Sequence, residues 1–254
     1  MSGHLRFGLL VLGVVACAAI AAGPAHAAKK TRDQFWTRPD YAQFAVDRVA
    51  LFPVTSYDNN IQNENMVAAA LGPAFKPLGY RWISGTTTRE LMRSNAGGDS
   101  LLRALRGQVQ ANAQLDSLTT LRLAGILHCD AVLTVRVDQF EQHQPEWNVA
   151  GKPYTTVRLK AALVDSLGRL LWSGSGTETG EGPYYDPSAN PVAVNDTGLD
   201  RKPVSAQGGA PTYREVLTAL FSRWKDQFPT KPAPAAPPAA PAPPAAADSA
   251  ATPR

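Results

Sequence analysis

The stretch RLKAALVDSLGRLLWSGSG, residues Arg158 to Gly176, climbs to Asp165, turns, and comes back through Trp172. Asp165 to Gly168 has the composition of a tight turn, with Asp first and Gly last. Taking Val164 opposite Arg169 sets Leu163 against Leu170, Ala161 against Trp172, Leu159 against Gly174 and Val157 against Gly176. Large residues then meet small ones on one side. The other side gathers Lys160 with Ser173 and Arg158 with Ser175. A slip of one residue would turn Trp172 out of that face. The stretch therefore reads as a hairpin with one face packed on helices.

Upstream, DAVLTVRVDQF places Leu133, Val135 and Val137 on one face and Thr134, Arg136 and Asp138 on the other, a strand with one wet face. Arg48 to Phe52 reads as a first strand that stops at Pro53. Asn60 to Phe75 reads as a helix carrying Met66, Val67, Ala70 and Leu71, with Pro73 and Pro77 threatening its last turn. Tyr80 to Ile83 is a short strand. Thr87 or Thr88 caps a helix that Gly97 and Gly98 end. Ser100–Gln110 and Asp116–Leu127 are further helices. A last helix carries Tyr213, Val216, Leu217, Leu220, Phe221, Trp224 and Phe228 on a broad apolar stripe. The expected architecture is α+β, a mixed sheet of about five strands covered by helices.

The ends are different in kind. Residues 1–27 combine Arg6, an apolar run from Phe7, and Ala25-His26-Ala27 at a cleavage site, which is the pattern of an export signal. Val14-Val15-Ala16-Cys17 also has the form of a bacterial lipobox, with signal 1–16 and lipid on Cys17. The two readings stay open. Lipid there would anchor the chain to a membrane without spanning it. Residues 28–45 are expected as a linker, 46–228 as the folded domain, and 229–254, nearly all Pro and Ala, as a disordered tail with polyproline II character. Residues 181–212 form a long Gly/Pro/Asn/Asp-rich loop. Cys129 is the only other cysteine, so no disulfide framework is available.

The net charge is +4 and is spread along the chain, with no Lys/Arg-dense run, so nucleic acid is not an expected partner. No phosphate loop or dinucleotide fingerprint occurs, and no cofactor or metal is expected. His128 and Cys129 are neighbours with no further ligands at zinc spacing. His143, or a carboxylate pair drawn from Glu178, Glu181 and Asp186, would serve the rival reading of a periplasmic hydrolase or solute-binding protein. No nucleophile motif accompanies them. Candidate binding residues are Arg136, Arg158 and Lys160 on the wet sheet face, suited to an acidic partner or anionic cell-wall polymer, and Tyr184 and Tyr185 in the long loop.

Three pieces, RVALFPV, LAGILHCDAVLTVRV and LVDSLGRLLWSGSG, resemble a bacterial envelope family. It includes the curli-secretion channel subunit, the penicillin-binding-protein activator lipoproteins and the amino-terminal domain of the Tol-Pal translocation protein. The resemblance spans Val46 to Phe228. His128 and Cys129 stand where that family usually has Gly and Ala, and the long loop and the tail lie outside the shared pattern. The resemblance implies a non-enzymatic interaction domain in the periplasm or at the outer membrane, often lipid-anchored and sometimes a homo-oligomer.

Overall fold

The computed structural model describes residues 33–146, 149–186 and 209–231. The signal or lipobox region with Cys17, the loop centre and the tail beyond Lys231 lie outside these residues. Among the described residues seven strands form one mixed sheet: β1 (Gln34–Thr37), β2 (Arg48–Leu51), β3 (Thr55–Ser56), β4 (Arg81–Ile83), β5 (Ala131–His143), β6 (Tyr154–Asp165) and β7 (Leu170–Glu181). The order is β1-β7-β6-β5-β2-β4, with β3 pairing β5 beyond the end of β2. β2 runs parallel to β4 and to β5; the β5–β6–β7 meander and β1 are antiparallel. Five α-helices among the described residues cover the sheet: α1 (Ile61–Phe75), α2 (Gly85–Ser94), α3 (Gly98–Asn112), α4 (Ser117–Leu127) and α5 (Tyr213–Gln227).

The chain is therefore α+β, with two strands more than the sequence pattern displayed. β3 is only two residues long. β1 lies in the segment expected as linker: it pairs with Trp172 to Ser175 of β7, and its Phe35 ring contacts Trp172 and Trp224.

Helices occupy both faces, which corrects the expectation of one wet face. α1 and α5 pack over Val49, Leu133, Val135, Leu159 and Trp172. α2, α3 and α4 form a second core with Ala50, Phe52, Val132 and Val164. Thr134 sits fully buried on that second face, its hydroxyl donating to the Ala113 carbonyl at 2.7 Å. A buried, hydrogen-bonded threonine is indistinguishable in sequence from a solvated one. Only from Arg136 and Lys160 outward does this face open.

The hairpin register differs from the expected one twice. Asp165 N–H donates to the Arg169 carbonyl and Gly168 N–H to the Asp165 carbonyl, so the loop is a type I turn closed by Gly168 at φ +79°. A second irregularity at Leu171 leaves Val164 opposite Leu170 but Leu163 opposite Trp172. Two single-residue shifts sum to an even number, so Trp172 stays on the expected face while its partner changes. Both Leu171 and Trp172 thereby reach the α1/α5 core.

Local signals set the helix ends. Asn60 caps α1, accepting from the N–H groups of Gln62 and Asn63. The helix then runs through Pro73 to Phe75, helped by Gly72, whose lack of Cβ removes the usual clash with a following proline ring. Ser84, rather than Thr87 or Thr88, caps α2 and accepts from Thr87 N–H; Thr88 is buried. α2 ends at Ser94, before the glycines, and Gly98 opens α3. α5 begins with a reciprocal capping box between Thr212 and Glu215. At the end of α4, His128 takes the left-handed conformation at φ +48°, where glycine is the usual residue.

His128→Gly is expected to raise stability by about 0.5–1 kcal/mol, the relief of a left-handed side chain less the entropy of glycine. A urea midpoint that stays put or falls would show that the exposed imidazole stabilises the chain through its own contacts.

Candidate binding surfaces

The structure separates the three cations expected on the sheet face. Arg136 is structural: its Nε donates to Asp138 at 2.6 Å, and its Nη1 donates to the carbonyls of Gln110 and Ala111 at the end of α3. It thus satisfies helix-end acceptors that the chain would otherwise leave bare. Lys160 remains half exposed, 3.4 Å from the same Asp138. Arg158 is exposed and donates from Nε to the Thr177 hydroxyl. Asp138 thus offsets part of the expected positive patch. Beside Lys160, a groove of about 470 Å³ runs between β1 and the end of α3, with Trp36, Gln34, Asn112 and Ser175 on its walls.

The two loop tyrosines also part. Tyr184 is exposed, whereas Tyr185 is buried and exchanges two backbone hydrogen bonds with Gly151.

The groups considered for chemistry are dispersed. His143 is exposed at the end of β5 and stacks on Tyr154. Glu178 is ion-paired with Arg223, whose Nε also holds Asp33 at 2.7 Å. Glu181 meets Lys152 at the far end of β7. Cys129 is buried, and desolvation, with the charge of Asp130 adding to it, pushes its thiol up to about 11. His128 is occupied with ending α4. Among the described residues no group of three or more His, Cys, Asp or Glu is placed to hold a metal ion. No helix among them is long and apolar enough to cross a membrane.

A different surface is built by the parallel part of the sheet. Leaving β2, the chain passes to α1 on one face; leaving β4, it passes to α2 on the other. Adjacent parallel strands whose connections part in this way leave a crevice at their carboxyl ends. Here it is a cleft of about 590 Å³, walled by Leu51 at the end of β2, Pro53 and Val54 beyond it, Ala68 and Gly72 of α1, and Trp82 of β4, with Lys76 and Arg89 among its lining residues. Glu64 lies in its floor, almost fully buried and tied to Arg106 of α3 by two hydrogen bonds of 2.7 and 3.2 Å. Its Oε1 also accepts from Ser56 N–H.

On the other flank of α1 a second groove, about 420 Å³, is lined by Met66, Ala69, Ala70 and Pro73 together with Leu217 of α5. Ala69 belongs to both grooves. α1 buries Val67, Leu71 and Phe75 and yet exposes Ile61 and Met66. Its apolar residues exceed one core-facing stripe. Pro73 brings no N–H, so the Ala69 carbonyl loses its ordinary intrahelical donor on this same surface. The sequence carried this signal in the extra apolar positions of α1, but the cleft needs β2, β4 and α2 as well.

No protein-family profile matches the sequence, and no curated protein matches it. Among solved structures, the chain is similar to the lipoprotein GNA1162 from Neisseria meningitidis at 22% identity and a TM-score of 0.41, over 56% of this chain and 89% of that one. It is also similar to the PelC dodecamer subunit from Paraburkholderia phytofirmans, at 14% identity and a TM-score of 0.40, over 79% of this chain and 99% of the other. The LpoB C-terminal domain from Salmonella enterica aligns at 15% identity and a TM-score of 0.29, over 52% and 82%. With each of these scores below 0.5, what the chain does has to be argued from its own residues.

Proposed function

We propose that this chain is a non-enzymatic binding or assembly factor of the bacterial envelope, engaging an envelope protein through α1 and the grooves that flank it. The observation that carries the reading is the apolar outer surface of α1, set between two apolar grooves that share Ala69. Exposed apolar surface of this kind, rimmed by Lys76, Arg89 and Arg214, is the make-up of a protein interface rather than of a reaction centre. The export pattern of residues 1–27 supports a periplasmic location for that interface; the alternative cleavage before Cys17 would leave a lipid on that residue as an outer-membrane anchor. A second copy of the chain is one partner this surface can take.

A photo-crosslinking side chain placed at Ala69 in the cells that make the protein is expected to give a discrete adduct, of twice the chain mass if the partner is a second copy. The same group at Arg103, exposed on α3, is expected to give none. Equal yields at the two positions, or no adduct at Ala69, would remove α1 as the interface.

A further inference from the structure

We propose that the Pro/Ala segment following Lys231 folds back in cis into the cleft between α1 and β4 and holds it until a partner displaces it. The inference rests on reading that cleft as a binding site, and it names the regulation of that site.

The chain leaves α5 along the cleft's own wall. The Phe228 ring lies 5.0 Å from Phe75, 6.1 Å from Tyr80 and 6.3 Å from Trp82, and all three of those residues line the cleft. Burial, with the Tyr41 hydroxyl beside it, raises the Tyr80 phenol well above its ordinary range, so it stays a donor and gives its proton to the Pro229 carbonyl at 2.8 Å. Lys231 then pairs with Asp47 and passes beside Gly79, next in sequence to Tyr80. The described chain therefore ends at Lys231, two residues beyond a hydrogen bond to Tyr80 of the cleft lining. Extended at about 3.1 Å per residue, residues 232–254 reach on the order of 70 Å, several times what is needed to run the cleft's length.

The composition fits the place. PAPAAPPAAPAPPAAADSAATPR carries no charge before Asp248 and little but Pro and Ala until then. Proline has no N–H, so this segment cannot extend the sheet from β4 by a regular ladder. It can dock as polyproline II, whose rings pack on aromatic walls and whose shape costs little entropy to hold. Trp82 supplies such a wall, and Ala68, Ala69 and Gly72 opposite leave room for a backbone to come close. Because the segment is covalently joined beside the cleft, its effective concentration there is on the order of millimolar, and a weak contact suffices. A partner segment must compete with it.

The test compares the chain from residue 28 with the same chain ended after Lys231, a cut that removes none of the described residues. In amide correlation spectra, truncation is expected to shift Ala68, Gly72, Gly85 and the Trp82 indole while leaving Arg158 and Lys160 in place. A synthetic peptide of residues 229–254 is expected to reverse those shifts saturably on the truncated chain and to bind the uncut chain at least tenfold more weakly. Cleft resonances unmoved by truncation, or equal peptide binding to both chains, would overturn the proposal. Dimerisation of the uncut chain that truncation abolishes would also overturn it, assigning the cleft to the tail of a second copy. The Ala69 crosslink, made on the chain ended after Lys231 so that the tail cannot take the group, decides the partner surface separately. An adduct at Ala69 with an unmoved cleft would retain the interface and discard the tail; tail-dependent shifts without an adduct would do the reverse.

Discussion

Gly168→Ala is expected to lower the unfolding free energy by about 3–5 kcal/mol, placing it among the most damaging single substitutions this fold can take. Two causes add at one atom. Gly168 sits at φ +79°, where a side chain costs about 1–2 kcal/mol. A Cβ there would also lie 2.3 Å from the Ser117 Cα and 2.8 Å from its Cβ. The first contact is with backbone, so no rotamer change relieves it. The turn must lift off the first residue of α4, or α4 must retreat from the β5–β6 layer. Urea unfolding followed by tryptophan emission would measure the loss. Leu167→Ala, one residue away and 54% exposed, is the control and should stay within about 0.5 kcal/mol. A Gly168→Ala loss no larger than that control would mean that the hairpin turn does not abut α4.

Arg106→Leu is expected to cost about 3–5 kcal/mol, for an electrostatic reason. Glu64 is 2% exposed and Arg106 26%. Removing the guanidinium leaves a buried carboxylate whose remaining hydrogen-bond donor is Ser56 N–H. The pair joins α1, on one face of the sheet, to α3, on the other, past the edge where β2 ends. A double change, Glu64→Gln with Arg106→Leu, removes the stranded charge and keeps an acceptor for Ser56. It should recover at least half of the loss, and the shortfall from additivity measures the coupling. Additive losses would show that Arg106 acts through its aliphatic packing alone.

How much of this was legible beforehand can be argued from particular residues. Asn60, Asp116 and Thr212 stand at helix starts that the apolar spacing located to within a residue or so. The alternation in β5 and the return through Trp172 are also local, and both were readable. What could not be read depends on residues far apart in the chain. Phe35 looks like linker until Trp172 and Trp224 are beside it. Thr134 looks solvated until the end of α3 lies over it. Arg136 looks available until Asp138 and two helix carbonyls take its donors. Tyr185 looks like the twin of Tyr184 until Gly151 pairs with its backbone. The cleft is the strongest case, because its walls come from four segments that no spacing rule links.

The clasp made by Arg223 has a mechanical consequence. Tension applied where the described chain begins meets two holds, the β1–β7 ladder and the grip of Arg223 on Asp33. Tension applied at Lys231 meets its ion pair with Asp47 and the Tyr80–Pro229 hydrogen bond, and then passes through Phe228 into the last turn of α5. Arg223 and Phe228, the residue that caps α5, are about 7.5 Å apart along the helix axis at 1.5 Å per residue. A pull on the two ends is thus carried by a short stretch of one helix and its aromatic bedding, Trp172, Trp224 and Phe75. The long β5–β6 ladder lies off this load path, and a domain strained between its two ends would keep it in shape, whereas Phe75 passes part of the load into the wall of the cleft.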